Sequence, residues 1–125
     1  MKHIYLFIFC ILTFATGFAQ DEFWGTSRQG GDGWGGVICN RKADGTGYNV
    51  KYTFPVTNAG AAAKYAPLLY NNSYYGSTEI GGTFNAGVLY AYNKATQVYT
   101  VLHNFKTEEG DRPLSNVVVI NNKLY

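Results

Sequence analysis

The chain is poor in the residues that chemistry most often uses. It has two cysteines and two histidines in 125 residues, and only 14% of it is charged. Cys10 and His3 both lie in the apolar N-terminal stretch, so the remainder carries Cys39 and His103 alone. One cysteine cannot form an internal disulfide, and in an apolar-rich strand it reads as a half-buried structural thiol. One histidine supports neither a multi-histidine metal site nor a Ser-His-Asp set built on recognisable motifs. The net charge of +2 is too small for an electrostatic case for nucleic acid or an anionic membrane. Helical periodicity is absent throughout. What the chain does have is 15 glycines and 17% aromatic residues, mostly tyrosine, a composition suited to β structure.

Residues 1–19 read as a secretory signal. Lys2 supplies the positive start, Ile4 to Phe14 is apolar, and Gly17 and Ala19 are small at the positions a signal peptidase reads. Cleavage is expected after Ala19, because the apolar run falls short of the roughly 20 residues that span a bilayer. Cys10 follows the bulky Phe9, which speaks against lipid attachment there. Loss of Lys2 leaves nine basic and eight acidic residues, a net +1.

The rest is a tandem repeat. Phe23–Phe54 reappears without a gap as Tyr74–Phe105, at a shift of 51 residues. Gly25/Gly76, Gly31/Gly82, Gly36/Gly87, Val37/Val88, Tyr48/Tyr99, Val50/Val101 and Phe54/Phe105 are identical pairs, and all are turn glycines or apolar residues. Four strands are expected in the second unit, over 65–70, 73–79, 87–93 and 97–105. Asn71-Asn72 gives the hairpin signal between the first two, since asparagine tolerates the positive φ of a two-residue turn. Residues 116–125 start another unit with its own Asn121-Asn122.

Four antiparallel strands per unit of about 50 residues predict an all-β fold of β-propeller-like blades. Residues 20–125 would then hold a partial blade at 23–54, a full blade at 65–105 and the opening of a third at 116–125. A closed propeller takes four to eight blades. The expectation is therefore an incomplete propeller fragment of a longer protein, with further repeats of the same chain as neighbours.

Tyr74-Tyr75-Gly76-Ser77-Thr78, Gly81-Gly82, Gly87-Val88-Leu89 and Thr100-Val101-Leu102-His103-Asn104-Phe105 together resemble the GloVer tandem repeat of secreted bacterial proteins. The first copy fits less well, with Tyr52-Thr53-Phe54 in place of His103-Asn104-Phe105. The resemblance implies a secreted, propeller-like repeat protein, often surface-attached through a C-terminal signal, and implies no established activity. Kelch repeats are similar too, but they often place tryptophan where this chain has Tyr99.

Few residues suggest catalysis. The glycine-rich stretches 29–36 and 81–87 precede strands, whereas a phosphate loop needs a helix behind it. Glu108, Glu109 and Asp111 lack the spacing of a calcium cage and have no counterpart in the other copy. No cofactor or metal is expected. The more informative positions are in the loops. In an antiparallel unit the loop from second to third strand and the segment leaving the fourth emerge at one end. Trp34, Phe84, Asn85, Asp32, Lys64 and Arg112 should therefore share a face.

Aromatic platforms rimmed by amides and charges suit a glycan or a protein surface. The bland alternative is that Trp34 folds back onto its own loop. The expectation is a non-enzymatic, secreted or cell-surface scaffold binding a glycan or surface protein. The alternatives are a fragment of an extracellular enzyme acting on polysaccharide and a purely structural spacer.

Overall fold

The computed structural model describes residues 22–125; the expected leader lies outside the described residues. These residues form nine strands in three antiparallel sheets, each a meander of sequence neighbours. Sheet I contains β1 (Glu22–Ser27), β2 (Val37–Lys42) and β3 (Asn49–Thr53). Sheet II contains β4 (Leu68–Tyr70), β5 (Ser73–Ser77), β6 (Val88–Asn93) and β7 (Tyr99–Asn104). Sheet III is the hairpin of β8 (Val119–Ile120) and β9 (Lys123–Leu124). The described residues are all-β; the one helical element among them is a single 3-10 turn, Thr107–Glu109.

Local chemistry sets the strand ends. Asn71 and Asn72 have φ of 46° and 61°, and Asn121 and Asn122 have 50° and 61°, the left-handed pair that a two-residue hairpin needs. β4 is shorter than the sequence suggests, starting at Leu68 rather than Tyr65, because Pro67 has no N–H to give to a ladder. Both β2 and β6 carry a register shift at the same point of the repeat, between Ile38 and Cys39 and between Leu89 and Tyr90.

Sheets I and II pack face to face through aromatic rings. Trp24 of β1 stacks on Tyr74 of β5 with centroids 4.4 Å apart, and Tyr52 of β3 stacks on Tyr99 of β7 at 4.1 Å. Phe54 meets Tyr90 edge-on at 5.5 Å. Pairs of this kind add about 0.5–1.5 kcal/mol each beyond the area they bury. Ile38, Ala63, Val88 and Tyr92 complete the buried cluster. Two of the tyrosine hydroxyls also tie the sheets together: Tyr99 donates to the Ala59 carbonyl at 2.6 Å and Tyr92 to that of Lys51 at 3.3 Å.

Tyr90 differs, because its hydroxyl is buried without a partner. Its ring lies over Gly76, where a Cβ would come within 2.5 Å of the Tyr90 oxygen. Burial pushes the ionisation of Tyr90 far above the ordinary tyrosine value. The equivalent of Tyr90 in sheet I is Cys39, and the space above Gly25 is correspondingly open.

The same contact recurs at both sheet junctions. Thr26 donates its hydroxyl to the Tyr65 carbonyl at 3.0 Å, and its counterpart Ser77 donates to the Ser115 carbonyl at 3.4 Å. Tyr70 adds a bond to Asn122 at 3.2 Å. Sheet III thus sits on the β4–β5 half of sheet II.

Candidate functional site: the loop edge

The β1–β2 and β5–β6 loops leave the same edge of their sheets and share one backbone frame. The Gly36 and Gly87 amides donate to the Gly30 and Gly81 carbonyls, each at 3.0 Å. The Trp34 and Asn85 amides donate to Gly31 and Gly82, each at 3.2 Å. The segment leaving the last strand of each sheet closes the frame, with Ala62 donating to Gly35 at 2.8 Å and Arg112 to Ala86 at 2.9 Å. Ala62 and Arg112 have φ of 60° and 49°, and they occupy matching places after β3 and β7. The backbone amide of Arg112 is therefore part of the frame.

Within this frame the two copies carry different residues at the left-handed position two residues before the closing glycine. Trp34 and Asn85 both sit in the left-handed region, at φ 63° and 53°. Asparagine is suited to that conformation, and the Asn85 side chain also accepts the Gly81 amide at 3.1 Å. Asn85 is accordingly a brace for its own loop. Trp34 has no side-chain oxygen for such a bond, and a non-glycine residue held there carries strain of order 1 kcal/mol. Its side chain nevertheless projects outward, 77% exposed.

Trp34 borders a cleft of about 110 Å³ with Arg28, Val56, Ala62 and Ile80. Arg28 links this cleft to Lys64, because the Glu79 carboxylate takes both cations at 3.2 Å. The bond to Lys64 is the main reason that Glu79 ionises below the usual carboxylate range; Arg28 reinforces it. Phe84, 52% exposed, borders a separate groove of about 440 Å³ with Lys106, Thr107 and Glu108. The Lys106 ammonium lies 5.2 Å from the Phe84 ring centre. Asp32 lines a third hollow with Tyr48 and Val50, on the side of sheet I turned away from sheet II.

The structure therefore brings Trp34, Arg28, Glu79 and Lys64 together, gives Phe84 its own basic neighbour, and sets Asp32 apart. Arg28, Glu79 and Lys106 did not stand out in the sequence. Arg28 and Glu79 are repeat equivalents, and an Arg/Glu pair at equivalent positions in adjacent units is the signal that could have revealed them.

No known protein family, curated protein or solved structure matches the chain. Among the described residues no cluster of three or more potential metal ligands occurs. His103 pairs with Glu109 at 3.2 Å, with both side chains half exposed, and its ring stands edge-on to Phe105. Among the described residues no helix is long and apolar enough to cross a membrane.

Proposed function

We infer that the protein is a secreted or cell-surface scaffold whose sheets are propeller-like blades and whose loop edge binds a glycan or a surface protein. Trp34 carries this reading. A tryptophan stands largely exposed and strained at a position where the other copy uses an asparagine to brace its loop. The exposed ring contributes little to the fold, and strained, solvent-facing aromatics concentrate where binding needs them. Phe84 with Lys106 offers a second contact point, and Arg28, Glu79 and Lys64 supply the polar rim. A hydrophobic plate beside fixed charges suits a sugar ring or an extended chain better than a deeply buried ligand. The Lys2 to Ala19 leader supports export.

The test compares wild type with Trp34→Ala and Phe84→Ala on a glycan array and in pull-downs from cell-surface extracts. Each substitution should weaken binding by about 1–3 kcal/mol while leaving the circular dichroism spectrum unchanged. Unfolding of Trp34→Ala, or binding indifferent to both changes, would remove the support for this reading.

A further inference from the structure

The cleft beside Trp34 and its polar rim lie where sheets I and II meet at the loop edge, away from the outer faces on which further repeats would stack. Three of its side chains change in the next unit, although the backbone frame is the same. Asn85 stands in place of Trp34, and Glu79 in place of Arg28. Leu114 stands in place of Lys64, since Ala62 and Arg112 close the two frames and the Tyr65 and Ser115 carbonyls accept the matching hydroxyls. An aromatic plate and two cations therefore occur together in one copy and are replaced together in the other. The shared frame forms without them.

At this place the cations outnumber the acid. One Glu79 oxygen takes Arg28 Nε, Arg28 Nη2 and Lys64 Nζ, each at 3.2 Å. The Glu79 side chain is 13% exposed, against 55% for Arg28 and 35% for Lys64, so the carboxylate lies beneath and the cations meet the water. Glu79 holds the guanidinium by its Nε–Nη2 edge, which turns the end carrying Nη1 away from it. That end is a fork able to grip a carboxylate or a sulfate through two parallel hydrogen bonds. The groove beside Phe84 has no such excess, because Glu108 lines it together with Lys106.

The backbone around the cleft is already paired. Ala61 and Ile80 exchange amide–carbonyl bonds at 2.8 and 3.2 Å, and the Glu79 amide donates to the Ala62 carbonyl at 3.2 Å. With these groups engaged, an extended polypeptide has no ladder to join at this point, and recognition falls to the side chains. We propose that the Trp34 cleft takes an acidic saccharide. A sugar ring lies on the face of Trp34, its carboxylate or sulfate group sits in the Arg28 fork, and Lys64 adds charge from the side. Glu79 positions Arg28 and leaves the pair of cations one net positive charge, which selects an anionic sugar over a neutral one. This rests on the reading of the loop edge as a binding surface, and names the class of ligand.

Titration calorimetry at low ionic strength tests this, with trigalacturonate, its neutral methyl ester and sulfated maltotriose as probes. Wild type should bind one of the charged probes about tenfold more tightly than the ester, with affinity falling as salt rises. Which charged probe is preferred tells a carboxylate from a sulfate. Arg28→Gln should weaken that binding about five- to tenfold, and Arg28→Lys should not restore it, since an ammonium offers no fork. Lys64→Gln should cost about two- to fivefold and serves where circular dichroism shows Arg28→Gln to be misfolded. Equal binding of acid and ester, no binding of either charged probe, or affinity unchanged in the folded Arg28 and Lys64 variants would overturn the proposal. So would tighter binding of polyglutamate than of both charged saccharides. A neutral glycan or a surface protein whose binding depends on Trp34 but not on Arg28 would refute the acidic class alone, whereas an edge that captures neither would remove the binding role with it.

Discussion

Gly25 and Gly76 are identical in the repeat, yet replacing each with alanine should move stability in opposite directions. At Gly76 a methyl group would meet the Tyr90 oxygen at 2.5 Å, its Cζ at 2.7 Å and Cε1 at 3.1 Å. The Tyr90 ring cannot retreat. It is fully buried, with Phe54 5.5 Å away and Tyr99 stacked at 5.3 Å. Overpacking of a rigid core site costs about 1–3 kcal/mol. At Gly25 nothing lies within 4 Å of the added carbon, so the main effect is on the unfolded chain. Lost unfolded-state freedom stabilises by about 0.4–1 kcal/mol where the backbone accepts alanine.

Urea titrations of the two single variants read the signs directly. Tyr90→Phe provides the control: it deletes the closest contact and also the unpartnered hydroxyl, so it should be neutral or stabilising alone and should lessen the Gly76→Ala penalty. If Gly76→Ala is as mild as Gly25→Ala, or if Tyr90→Phe fails to relieve it, the packing argument is wrong.

Three further outcomes are expected. Gly31→Val and Gly82→Val should each destabilise by more than about 1 kcal/mol, because both sites have positive φ and a Cβ there meets Thr53 or Val88 at 2.6 Å; thermal melts equal to wild type would contradict this. Burial raises the tyrosine ionisations of the core, that of Tyr74 to about 12 with Glu22 contributing, and those of Tyr90 and Tyr99 further. The unfolded chain ionises these hydroxyls near pH ~10 while the folded chain keeps them protonated, so stability is complete below about pH 10 and falls as pH rises toward 12. Denaturant midpoints that stay level through that window would refute it. Mass spectrometry of the secreted product should find Gln20 at the N-terminus, allowing for its cyclisation; a soluble product retaining Met1 would show that the leader was misread.

The sheets were legible because their signals are local. Asn71-Asn72 and Asn121-Asn122 announce hairpins through a conformational preference of one residue type, and the glycine and valine matches mark equivalent strands. What escaped depends on which residue meets which across space. Asn85 looked like a display residue beside Phe84, but its oxygen is spent on the Gly81 amide. Ala62 and Arg112 hold positive φ because their amides must reach Gly35 and Ala86, a demand no side-chain preference reveals. The Arg28–Glu79–Lys64 contact joins residues from three segments, and only the packing of the two sheets brings them together.

The loop frame has a practical consequence for engineering. Its closing hydrogen bonds, from Gly36 to Gly30, Trp34 to Gly31 and Ala62 to Gly35, run between backbone atoms, so the side chains at 32 and 34 do not hold the loop in shape. One copy carries tryptophan at the left-handed position and the other asparagine on the same trace, so the frame already tolerates a large change of size and polarity there. Randomising 32 and 34 in the first loop and 83 and 84 in the second, with the flanking glycines and Asn85 kept, would turn the edge into a two-loop library for selecting binders. Its diversity would cost little stability, because the variable atoms lie outside the packed aromatic layer.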